Sequence, residues 1–202
     1  MVASCLICQC VYWLARVASA ALSPTYMTLG APERGYWAAS CVSTIHAVLL
    51  SAFCYHAATS GQIWDKWDFF LATPESTFCI CVFCGYLCCD LCIALYYREA
   101  WAGWKMNIAH HIVVILSLVQ MLSGVGSGHA TYGHCFAMSA GMTELTTPFV
   151  NNRWFMDQMG MKSSPVFVVN GLLSGTRAAL TLAALALNPV KTTRPSLLFL
   201  SR

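Results

Sequence analysis

The chain has 202 residues, of which 58% are hydrophobic and only 9% charged, and its formal net charge is +3. A soluble domain carries about 25% charged residues, so this chain cannot cover a water-facing surface and its solvent must be largely lipid. The positive charge is too small and too scattered to form a nucleic-acid surface, and no basic cluster is interleaved with aromatics.

Six apolar segments approach the ~20 residues needed to cross a bilayer. The first, 2–22, lacks a positive leader and is interrupted by Arg16, which favours a membrane span over a signal peptide. The second, 36–58, and the third, 76–97, follow, and the third is the cleanest. The fourth covers 106–122. The fifth, 131–150, is weaker and holds Glu144, and the sixth covers 166–187.

The connections 23–35, 61–75, 98–105 and 151–165 carry most of the charge and the prolines and glycines, as expected for helices joined by wet loops. No period-two alternation is present, which excludes a β-barrel. The expectation is an all-α membrane protein, a bundle of about six transmembrane helices around a central cavity. It forms one domain over 1–202, with an atypical short tail at 188–202. The inter-helix loops place Arg34, Arg98, Lys105, Arg153 and Lys162 on one side, which the positive-inside rule makes cytosolic; the basic tail argues the other way.

Twelve cysteines fall mostly within apolar stretches. The C-x-x-C pairs at 5/8, 81/84 and 89/92 lack the turn residues and electropositive neighbours of zinc or redox sites. Cys81, Cys84, Cys88 and Cys92 share one helical face and read as small packing residues. The six histidines include one adjacent pair and neither H-x-x-H-H nor H-E-x-x-H, so no metal site is expected.

Polar residues at bilayer depth are costly and mark either function or interhelical hydrogen bonds. The pair His110–His111 is the first of these, and consecutive residues on a helix point about 100° apart. Asn107 lies on an overlapping face. Asp90 sits within the third span, where it must pair or be protonated. Glu144 is flanked by threonines that can satisfy it. Asn170 and Arg177 share a face of the sixth span. Asn151, Arg153 and Trp154 form a cluster suited to the lipid headgroup level.

The run VSTIH at 42–46, GYL at 85–87 with Asp90, the pair His110–His111, ELTTPFVNNRWF at 144–155 and VNG at 169–171 carry a resemblance to the TLC family, spanning roughly 35–177. That resemblance implies a helical membrane bundle around a lipid-accessible cavity, residing in the endoplasmic reticulum more than the plasma membrane. It also implies a role in ceramide synthesis, lipid transport or membrane composition. Ceramide synthases in the family use a His-His pair, a downstream His-Asp and a further Asp three residues on. This chain has Thr143–Glu144 and Thr147 at the comparable stretch, which weighs against acyl transfer. Relatives are expected to continue into another membrane helix beyond Leu187, so a shortened form is expected here.

Three functions remain open. The first is a non-catalytic lipid-homeostasis protein that binds or senses a membrane lipid through Asp90, Asn107, His110, His111, Glu144, Asn170 and Arg177, with no cofactor. The second is a lipid N-acyltransferase with acyl-CoA as donor and His110 or His111 as base. The third is a membrane scaffold. Membrane lipids are the expected partners.

Overall fold

The computed structural model describes residues 1–61, 63–66, 69–124 and 132–175. The described residues form α1 (Val2–Leu22), α2 (Pro24–Thr28), α3 (Ala31–Ser60), α4 (Ile63–Lys66), α5 (Pro74–Tyr96), α6 (Trp104–Leu122) and α7 (His134–Thr143). A 3-10 turn at Glu144–Thr146 leads into α8 (Thr147–Gln158), and α9 (Pro165–Gly175) follows. Among the described residues α1, α3, α5 and α6 are long and apolar enough to span a bilayer, and no strand occurs. The all-α membrane architecture read from the sequence is the one observed.

Local chemistry sets the helix boundaries. Thr73 caps α5: its hydroxyl accepts from the Ser76 N–H at 3.1 Å, and the Ser76 hydroxyl accepts from the Thr73 N–H at 3.0 Å. Pro74 then occupies the first turn, where a missing N–H costs nothing. The break between α7 and α8 has a proline cause. Pro148 has no N–H to donate to the Glu144 carbonyl, so the Thr147 N–H takes that oxygen and tightens one turn. α8 runs on from there until Gly160 turns the chain with φ 71.

Three expectations change accordingly. The stretch 151–165, expected as a loop, is helical as far as Gln158, because no breaker lies between Pro148 and Gly160. The loop 23–35 contains α2 and the first turn of α3, which starts at Ala31 with a proline tolerated at its N-terminus. The fifth span is a broken rod rather than one helix. Of the sixth span only the part in α9 is described; Arg177 and the tail 188–202 lie outside the described residues.

α3 is the central element, packing against α1, α5, α7, the 3-10 turn and α8. Lipid tails are as apolar as leucine, so close backbone approach must replace the hydrophobic effect between these helices. Small residues allow it. Gly141 on α7 leaves no room for a Cβ beside the Cys54 side chain, and the Ser51 hydroxyl donates to the Gly141 carbonyl at 3.0 Å. Gly85 on α5 lies against the Met1 carbonyl and Ser4, whose hydroxyl donates to the Val82 carbonyl at 2.8 Å.

No disulfide joins any of the twelve cysteines, all of which lie among the described residues. The proposed stripe is only partly interior: Cys84 is buried, Cys81 and Cys88 are half-buried and Cys92 is exposed, while Cys79 and Cys89 belong to the core. α1 and α6 flank the bundle and turn Leu6, Ile7, Leu14, Val113 and Leu116 outward as a lipid-facing surface.

An aromatic layer closes one end of the bundle. Tyr36 packs on Trp101 at 5.1 Å and on Trp154 at 4.6 Å, Trp37 on Phe155 at 4.7 Å, and Trp101 stacks on Tyr97 at 5.3 Å between ring centres. The Trp101 indole N–H also donates to the Pro32 carbonyl at 3.1 Å. The same end carries Arg34 and Lys105 in the first turns of α3 and α6, Arg98 just beyond α5, and Arg153 midway along α8.

Candidate functional site

Beneath the aromatic layer lies a cavity of about 270 Å³ between α3, α5, α6 and the 3-10 turn with α8. Each of these elements contributes polar side chains. Asp90 comes from α5, Asn107, His110 and His111 from α6, Glu144 from the 3-10 turn and Asn151 from α8. Six residues singled out in the sequence are therefore brought to one site, from positions as far apart as Asp90 and Asn151.

His111 is the fixed point of this site. It is one of two buried residues on α6, the other being Leu118. Its Nδ1 is 2.7 Å from the Asn107 carbonyl oxygen, one turn back on the same helix, and its Nε2 is 2.8 Å from Asp90 Oδ2. A carbonyl oxygen only accepts, so Nδ1 carries a hydrogen. The contact with Asp90 then holds one further proton, either on the ring facing a carboxylate or on the acid facing a neutral ring. In both arrangements the pair has no net charge, which is how an acid and a base coexist at bilayer depth. Both nitrogens of His111 are thereby engaged.

His110 differs. It lies on the exposed side of α6 yet still lines the cavity, with its ring 5.7 Å from that of His111 and nearly perpendicular to it. The 100° offset between consecutive residues thus gives the pair two roles: one ring locks α6 to α5, and the other faces the open side of the cavity.

Glu144 accepts a hydrogen bond from the Thr147 hydroxyl at 3.0 Å. Asn151 is buried, and its amide donates to the Ser40 carbonyl at 3.1 Å and to the Thr44 hydroxyl at 3.0 Å, tying α8 to α3. Asn151, read from the sequence as part of the headgroup-level cluster, thus also stands in the cavity wall. Tyr86 completes that wall from α5, and His46 of the VSTIH run stacks behind it at 3.8 Å and 14° between ring planes.

The remaining predicted residues lie elsewhere. Asn170 does not line the cavity; its amide donates to the Phe149 carbonyl at 2.7 Å and its oxygen accepts from Asn152 at 3.3 Å, joining α9 to α8. Arg153 covers the Phe167 ring at 3.9 Å and donates to the Phe167 carbonyl at 3.3 Å. Trp154 belongs to the aromatic layer. Sequence reasoning assigned no site role to Tyr36, Ser40 or Trp101, named Ser43 and Tyr86 only within the runs that carry the family resemblance, and read Thr147 only as a neighbour of Glu144. Two of these carried a signal: Tyr86 is one turn before Asp90 on the same face, and Thr147 is one turn after Glu144.

The model of the TRAM/LAG1/CLN8 family, described as the TLC domain, matches residues 36–178. The chain belongs to the TLC domain family. The matched stretch includes every residue of the cavity.

Among curated TLC proteins, this chain is 32% identical over 157 residues to TLC domain-containing protein 4 of Xenopus tropicalis, covering 74% of this chain and 56% of that protein. It is 30% identical over 162 residues to TLC domain-containing protein 4-B of Xenopus laevis (77% and 57%). It is also 30% identical over 164 residues to TLC domain-containing protein 4 of Homo sapiens (80% and 58%). The chain thus spans little more than half the length of these TLC relatives. No solved structure matches.

Proposed function

We propose that this TLC-domain chain is a multi-pass membrane protein of lipid homeostasis, resident in the endoplasmic reticulum, that holds the polar end of a membrane lipid in the cavity beside His110. The observation that carries this reading is the charge-neutral His111–Asp90 pair, set in a polar cavity between two helices long and apolar enough to span a bilayer. A volume of about 270 Å³ equals roughly nine waters, enough for a lipid's polar head but not its chains. Chains would lie outside, along the apolar outer face of α6, where Val113 and Leu116 are exposed.

A second reading, acyl transfer from acyl-CoA to an amine or hydroxyl, draws on His110. With both nitrogens of His111 engaged, His110 is the imidazole placed to take a proton from a nucleophile in the cavity. The two readings separate in one experiment. The protein is purified in detergent, its retained lipids are identified by mass spectrometry, and acyl transfer from acyl-CoA to a sphingoid base is assayed with His110→Ala as control. Retained lipid without acylated product is the expected result. Product that disappears in His110→Ala would establish the enzyme, and neither lipid nor product would leave a scaffold.

A further inference from the structure

A second recess lies between α1 and the C-terminal end of α5. It measures about 350 Å³ and shares no lining residue with the cavity beside His110. On α1 it is lined by Gln9, Tyr12, Trp13 and Arg16, which recur at helical spacing along one face, and on α5 by Cys92 and Tyr97 among others.

Arg16 is the unusual member. It sits six residues before Leu22, the end of α1, hence about 9 Å below that end along the axis. Among the described residues no carboxylate lies within ion-pair distance of it. Its neighbours are aromatic instead: the guanidinium lies 5.2 Å from the centre of the Trp13 ring and 5.9 Å from that of Tyr12, and Nη1 makes a long 3.5 Å contact to the Tyr97 hydroxyl. An arginine within an apolar span needs a counter-charge or water; among the described residues this recess offers Arg16 aromatic rings, the Tyr12 and Tyr97 hydroxyls and the Gln9 amide, but no anion.

We infer that the α1–α5 recess is a binding site for an anionic phospholipid, with the headgroup phosphate on the Arg16 guanidinium. Guanidinium and phosphate match as a two-point, charge-assisted pair. The Tyr97 hydroxyl stands beside that point. Deeper in the groove, the Gln9 carbonyl accepts from the Cys89 thiol at 3.5 Å, which leaves its amide NH₂ as a further donor. The exposed Leu6 and Val17 of α1, on the side of Trp13, offer an apolar track for the acyl chains. A zwitterionic choline headgroup fits less well. Among the described residues no carboxylate lines the recess, and Arg16 itself covers the Trp13 and Tyr12 faces that would hold a quaternary ammonium. This site is independent of the proposed cavity function.

The test is native mass spectrometry of the protein taken from nanodiscs of phosphatidylcholine containing a minor fraction of phosphatidylglycerol. Wild type is expected to retain phosphatidylglycerol in preference to phosphatidylcholine. Arg16→Gln should lower that retention about tenfold, and Arg16→Lys should lower it less, keeping the charge but not the two-point geometry. Cys92→Trp, which fills the recess and leaves Arg16 in place, should also abolish the preference and serves should Arg16→Gln fail to insert. Arg34→Gln is the control and should leave retention unchanged, because Arg34 is spent on the Leu29 and Met27 carbonyls. Equal retention of the two lipids by wild type, or undiminished phosphatidylglycerol on Arg16→Gln or Cys92→Trp, would overturn the inference.

Discussion

Asp90 and His111 meet at 2.8 Å across the α5–α6 interface, with the ring held from its other side by the Asn107 carbonyl at 2.7 Å. This contact fixes how α6 sits on the bundle, because α6 makes its extensive packing with α5. Removing one partner of a buried pair leaves the other unsatisfied at a cost of roughly 3 kcal/mol. Asp90→Ala and His111→Ala should therefore each lower stability by about that amount. Asp90→Asn should cost far less, since an amide N–H can donate to the Nε2 of a neutral ring. Thermal unfolding in detergent checks the order, and the double alanine variant should fall well short of the sum of the two singles.

The adjacent histidines should separate by phenotype. His110 is exposed on the open side of the cavity, so His110→Ala should change stability by no more than about 0.5 kcal/mol while reducing lipid retention. His111→Ala should lose stability first. Unfolding midpoints and lipid mass spectrometry on the two single variants make the comparison.

Asn151 is a structural donor as well as part of the wall. Its amide makes two hydrogen bonds to α3, to the Ser40 carbonyl and the Thr44 hydroxyl. Asn151→Ala should destabilise by about 1–3 kcal/mol. Asn151→Asp should be worse, because a carboxylate cannot donate to the Ser40 carbonyl. Detergent unfolding curves for both variants give the ranking.

The contact of Gly141 with Cys54 is a packing constraint rather than a polar one. A methyl group at 141 would overlap the Cys54 side chain, so Gly141→Ala should cost about 1–3 kcal/mol through overpacking. Cys54→Ala removes the obstructing sulfur, and in that background the same substitution should cost less. A double-mutant cycle in unfolding free energy reads the coupling.

The long spans were legible because twenty apolar residues in a row leave little choice of structure: 2–22 coincides with α1, and 36–58, 76–97 and 106–122 fall on α3, α5 and α6 with ends a few residues off. The α7–α8 rod was harder to read. Pro148 breaks the hydrogen-bond ladder without ending the helix, and the polar run from Asn151 to Gln158 reads like a loop when scored by composition. At the site, residue type alone marked Asp90, Asn107, His110, His111 and Glu144, since polar groups stand out against an apolar background. Which of them touch was not readable. Asp90 and His111 are twenty-one positions apart, and only the crossing of two helices decides that they pair. Asn170 shows the opposite outcome, a polar residue of the same kind whose hydrogen bonds go to the Phe149 backbone and the Asn152 side chain of the neighbouring helix.

The most direct test of the account is whether filling the cavity beside His110 expels a lipid. Ser43 lines that cavity from α3, and Ser43→Trp places an indole in its volume. Native mass spectrometry of wild type is predicted to show a lipid adduct that survives detergent exchange, and Ser43→Trp, eluting as the same monodisperse species, is predicted to lose it. A wild-type protein free of retained lipid, or a Ser43→Trp variant carrying the same adduct, would contradict the account.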